Sequence, residues 1–163
     1  MLLTRDHLPS HMHAPKALLP EFHAARELMH RYLMESAGRA TYYENGARRQ
    51  EVPHAHLHGF PFEAEVLPEW IGAGALEQVT SWDDVREECE QRGHYYYLGT
   101  RQGHFLVRKY SFVLKAVRAQ LVSRSEARRD PLTGHIIRGG PNMVEATRQM
   151  WRRWLNGTVE PGP

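Results

Sequence analysis

Residues 54–58 read His-Ala-His-Leu-His, bounded by Pro53 on one side and by Gly59-Phe60-Pro61 on the other. Side chains of an extended chain alternate between two faces, so His54, His56 and His58 fall on one face and Ala55 and Leu57 on the other. One face of such a strand can enter a core while the other presents a row of imidazoles about 6.6 Å apart. Imidazole is the side chain whose unperturbed pKa lies near neutrality, so a row of three suits nucleophilic, acid–base or metal chemistry. The competing reading is an exposed histidine-rich strand whose rings bond nearby carbonyls. Strict alternation with small apolar partners favours the functional row.

The His-x-His-x-His pattern followed by apolar residues resembles the histidine-triad (HIT) family, and three further stretches fit the same register. Leu2 to Ser10 looks like the family's strand ending in a basic residue and a histidine, here followed by a turn and holding His7. Residues 20–35 look like its central helix. Tyr43-Glu44-Asn45-Gly46, ahead of the triad, resembles the strand whose polar end faces the substrate phosphates. The combination is most similar to a bacterial branch with a C-terminal extension. The resemblance covers residues 1–66. Family members carry a helix and two strands ahead of the segment matching Leu2 to His7, and these supply the floor for the base. Without a counterpart to them here, the resemblance implies phosphate chemistry more directly than it implies a choice of base.

The resemblance implies a nucleotidyl hydrolase or transferase acting on a phosphoanhydride, phosphoramidate or related ester. His56, the middle histidine, is the nucleophile of a covalent nucleotidyl-imidazole intermediate, and His54 and His58 flank it as orienting and polarising groups. Phosphoryl transfer needs donors and positive charge around the equatorial oxygens more than it needs a strong nucleophile. His7 matches a fourth histidine closing the cluster. Glu44 and Asn45 fall where the family sets polar groups against phosphate, and a carboxylate there calls for pairing with Arg48 or Arg49. Glu51 stands where many members carry a hydroxyl that assists the leaving group. No cofactor is implied. Two alternatives stay open: a non-catalytic HIT-fold protein binding nucleotide or RNA, and a metal hydrolase taking a further ligand from His7, His94 or His104. Against the metal, the row spans about 13 Å, too long for one ion without bending the strand.

Charge points to the same class of ligand. Residues 1–100 hold 9 Lys/Arg against 15 Asp/Glu, a balance of −6, whereas residues 101–155 hold 12 against 3, a balance of +9. A basic half beside a histidine cluster suits an anion, and Arg101, Arg128, Arg129 and Arg138 fall in predicted loops, where binding residues concentrate. The expected partner is a nucleotide or other phosphate-bearing small molecule, with nucleic acid as the other open class, and the resemblance implies a homodimer. With 41% hydrophobic and 25% charged residues the chain reads as globular. No apolar run approaches a membrane span, no leader pattern stands out, and the lone Cys89 fits a reducing, cytoplasmic setting.

The expected fold is α+β: a HIT-like antiparallel sheet with strands near 40–45, 53–60, 94–98 and 104–109, and helices packed on it. Residues 1–66 form the HIT-like core, 67–158 an α/β extension on the same domain, and 159–163 a tail. Phe22, Ala25, Leu28, Met29, Tyr32 and Leu33 recur at helical spacing up to Gly38. Ser81 followed by Asp83 and Asp84 reads as a helix start, and Gly93 as its end. The segment 63–74 reads as an irregular connection. A third helix spans about 112–123 on Val113, Val117 and Leu121, and a last one follows Asn142 with Trp151 and Trp154 on its stripe.

Overall fold

The computed structural model describes residues 1–48, 50, 54–124 and 152 of the chain. The expected last helix, the tail, Glu51 and the arginines 128, 129 and 138 lie outside these residues.

Six strands form one sheet in the order β1-β3-β2-β5-β6-β4, every neighbouring pair antiparallel. They are β1 Leu2–Leu3, β2 Thr41–Gly46, β3 His56–Phe60, β4 Leu76–Val79, β5 Tyr95–Thr100 and β6 Gly103–Val107. The helices are α1 Leu19–Ala37, α2 Pro68–Gly72, α3 Trp82–Arg92 and α4 Tyr110–Arg124. The fold is therefore α+β with an open antiparallel sheet. Its strands come from both halves of the sequence, because β5 of the extension pairs along β2 from Tyr42↔Gly99 to Gly46↔Tyr95.

Local signals explain most of these elements. Pro20 sits in the first turn of α1, and Gly38 closes the helix at φ 66°, donating its N–H to the Met34 carbonyl. Ser81 Oγ accepts from the Asp84 N–H while the Asp84 carboxylate accepts from the Ser81 N–H, a reciprocal cap at the start of α3. Two elements went unread in the sequence. β4 and the single turn of α2 occupy the segment around 63–79, where four-residue and five-residue pieces are too short to show a period. The stretch resembling a strand from Leu2 is extended and paired only over Leu2–Leu3, and β3 begins at His56 instead of residue 53.

The sheet divides two apolar clusters. On one side α1 and α3 cover Tyr42, Leu57, Tyr97 and Leu106 with Phe22, Met29, Leu33 and Val85. On the other, α2 and α4 cover Tyr43, Leu98, Phe105 and Val107 with Trp70, Val113 and Val117. α1 lies so close to β3 that a Cβ on Gly59 would stand 3.0 Å from Leu33 Cδ1 and from Met29 Sδ. The absence of a side chain at Gly59 thus sets the helix–sheet spacing behind the histidine row.

Candidate active site

β3 keeps the alternation expected of it. Ala55 and Leu57 are 0% exposed, while His56 and His58 are half-buried on the opposite face of β3, and His54, also half-buried, stands at a bend two residues ahead of the strand. Tyr43 pairs with His58 across β2, so Tyr43 and, two residues on, Asn45 share the histidine face. That face belongs to the α2 and α4 side of the sheet.

Backbone carbonyls orient two of the rings. His56 Nδ1 lies 2.6 Å from the His54 carbonyl oxygen. A carbonyl only accepts, so Nδ1 carries the proton, and the neutral ring holds its lone pair on Nε2. His54 Nε2 lies 2.7 Å from the Thr4 carbonyl and is the donor by the same argument. The segment carrying Thr4 is itself fastened to the triad strand, since the Ala55 N–H donates to the Leu8 carbonyl at 2.6 Å.

The rings contact one another in two groups. His7 packs 4.6 Å from His54, while His56 meets His58 edge-on at 4.9 Å and His58 stacks on Phe60 at 5.7 Å. The His54 carbonyl, bonded to His56 Nδ1, links the two groups, and His7 is exposed. Burial, reinforced by the neighbouring His56, lowers the His58 pKa from its usual 6.5 to about 4. His58 is therefore neutral near pH 7.

Asn45 joins this face and Glu44 does not. The Asn45 Oδ1 accepts from the Tyr43 hydroxyl at 2.6 Å, and its Nδ2 lies 3.4 Å from the Tyr110 hydroxyl. Glu44 alternates to the other face, is 0% exposed, and among the described residues makes no ion pair with Arg48, while the expected pairing with Arg49 lies outside those residues. Its Oε1 accepts from the backbone N–H of His11 at 3.1 Å and lies 2.9 Å from His11 Nδ1. The expected contact between Glu44 and phosphate is thereby corrected: period two sends the side chain through the sheet into the α1 and α3 core. His11, unremarked in the sequence, is its partner, and the signal was the parity of Glu44 relative to Leu57, its register partner.

A second group went unnoticed. Beyond Asn45 along the same face, β5 contributes Tyr96, and a cleft of 490 Å³ opens between Arg48, His94, Tyr96 and the start of α4. Its signal lay in the alternation of His94-Tyr95-Tyr96-Tyr97, which sets His94 and Tyr96 on the face opposite the buried Tyr95 and Tyr97. Arg101, by contrast, stands in the β5–β6 turn beside a separate cleft on the α1 side. Among the described residues no three His, Cys, Asp or Glu side chains gather as a metal centre, and no helix is long and apolar enough to cross a membrane.

Comparison with known proteins leaves the site to be argued from its own geometry: no family model, curated protein or solved structure matches the chain.

Proposed function

We propose that this chain is a histidine-triad-type nucleotidyl hydrolase or transferase in which His56 is the nucleophile. The observation that carries the reading is the bond from His56 Nδ1–H to the His54 carbonyl, which leaves Nε2 as the nitrogen that would bear the lone pair of an uncharged ring. Nε2 attacks the phosphorus of a nucleotidyl ester, amidate or anhydride. A bond forms between nitrogen and phosphorus, and the leaving group departs with the electron pair of the bond it loses. Water, or another acceptor hydroxyl, then attacks the phosphoryl-imidazole from the vacated side; the nitrogen–phosphorus bond breaks, its electron pair returns to His56 Nε2, and the proton of the attacking group passes to the departed leaving group or to bulk water. Dividing the transfer into two displacements is the service of a nucleophilic side chain. His58, neutral and half-buried, donates to an equatorial oxygen, and the Asn45 amide stands beside the same face. The protein acts on a nucleotide or a related phosphate compound, works in the cytoplasm, and pairs as a homodimer.

The deciding experiment is denaturing mass spectrometry after mixing with a nucleotidyl substrate such as an adenosine phosphoramidate. An adduct on His56, absent in His56→Ala and His56→Asn, supports the reading. Full turnover in His56→Ala refutes it, and turnover removed by a chelator points to a metal hydrolase. One observation favours a second reading. The bond from His54 Nε2 to the Thr4 carbonyl commits that ring to the scaffold, as in a HIT-fold protein that binds nucleotide or RNA without chemistry. Ligand binding with no adduct and no turnover would select it.

A further inference from the structure

The cleft beyond Asn45 has the chemistry of an anion site. Arg48 forms no ion pair with a carboxylate among the described residues. Its guanidinium instead donates to His94 Nε2 at 3.3 Å. His94 can accept that bond because its Nδ1–H is spent on the Arg92 carbonyl at 3.0 Å, which fixes the tautomer. A neutral imidazole thus holds Arg48 in place without neutralising it. Lys109, whose ammonium also donates to the Ala73 carbonyl at 2.7 Å, and Ser111 line the cleft too, and α4, 15 residues long, begins at its wall, where the positive end of the helix dipole lies. Arg108 on the same wall is already matched by Glu77 and Glu88. Among the described residues no carboxylate lines the cleft.

Aromatic surface stands beside this charge. Tyr96 packs against Tyr110 at 4.4 Å with the rings tilted by 49°, and His94 meets Tyr96 edge-on at 5.8 Å. Tyrosine faces of this kind stack planar bases in a sequence-tolerant way. The cleft also neighbours the histidine face. Asn45 Nδ2 reaches the Tyr110 hydroxyl, and Tyr96 is the register partner of Asn45. From β3 through β2 to β5 is two strand spacings, about 10 Å, within reach of a single nucleotide-sized group.

We infer that this cleft is a second anchoring point of the ligand, holding a phosphate on Arg48, Lys109 and the first turn of α4 and a planar ring against Tyr96 and Tyr110. The ligand class is accordingly a phosphate carried on a planar aromatic group, which at the proposed site would be the leaving group of the bond at His56. The leaving-group role rests on the proposed chemistry at His56, whereas the binding itself needs no chemistry.

The test is calorimetric titration of adenosine 5′-monophosphate into the His56→Ala protein, then into the same protein carrying Arg48→Gln or Tyr96→Ala. Both side chains are partly or fully exposed, and circular dichroism melts verify the fold. Saturable binding that weakens tenfold or more in each second variant, and is weaker for adenosine or inorganic phosphate alone, supports the inference. Affinities within twofold of the parent, or no saturation by the mononucleotide, overturn it. The two readings fail separately. An adduct on His56 with unaffected Arg48 and Tyr96 variants removes the cleft and leaves the nucleophile. Binding that depends on Arg48 and Tyr96, with no adduct in the wild-type protein, does the reverse.

Discussion

Glu44 gives the sharpest test of how this sheet assigns its residues. It is fully buried on β2, and its Oε1 serves both the backbone N–H and the Nδ1 of His11, which is itself 2% exposed. Glu44→Ala leaves two buried donors without an acceptor, at about 1–3 kcal/mol each, and opens a hole beside Leu57 and Tyr97. The two donors together give about 2–6 kcal/mol, and the middle of that range, about 3–5 kcal/mol, is the expected loss. For a chain of this size about 1 kcal/mol moves Tm by roughly 2–4 °C, so the expected drop is about 6–20 °C by differential scanning calorimetry. Glu44→Gln keeps an oxygen for both His11 donors. Its new amide group replaces Oε2, which is buried without a partner, so it costs less, about 1–3 kcal/mol. Because Glu44 faces away from the histidine row, Glu44→Gln should leave turnover and nucleotide affinity near wild type wherever it is folded. A Glu44→Ala protein melting within 2 °C of wild type, about 1 kcal/mol or less, refutes the packing argument. A Glu44→Gln protein that is stable but inactive refutes the assignment of faces.

His58 predicts a pH dependence. Its folded pKa, about 4, lies below the ordinary 6.5, so the unfolded chain takes up the proton first as pH falls. The stability it contributes is complete above pH 6.5 and is lost between 6.5 and 4; urea titrations at pH 7 and 5 should differ less in His58→Gln than in wild type, and an equal difference discards the assignment. Gly59→Ala sets a methyl at 3.0 Å from Leu33 and Met29, which by overpacking costs about 1–3 kcal/mol; Gly59→Ala paired with Leu33→Val should recover part of it, and independent, additive losses in denaturant would count against direct contact. Ser81→Ala removes the acceptor of the Asp84 N–H at the start of α3 and should lower stability by about 1 kcal/mol, read as a smaller urea midpoint at unchanged slope.

The period-two pattern determined the strand from His56 onward, its two faces and the meeting of His56 with His58, because alternation is a local property of extended backbone. The same holds for the ends of α1 and α3, where Gly38, Ser81 and Gly93 act within a turn of themselves. β4 was not legible: a four-residue strand carries too little pattern, and it exists because β6 offers it a partner. Nor could residue order reveal that Glu44 would meet His11, or that Tyr96 and Tyr110 would extend the histidine face. Those outcomes depend on β5 inserting beside β2, a pairing between residues some fifty positions apart. A sequence specifies which face each side chain takes once its strand is formed. Which strands become neighbours, and hence what stands beside His56, is decided by the burial of both sheet faces under helices, a property of the whole folded chain.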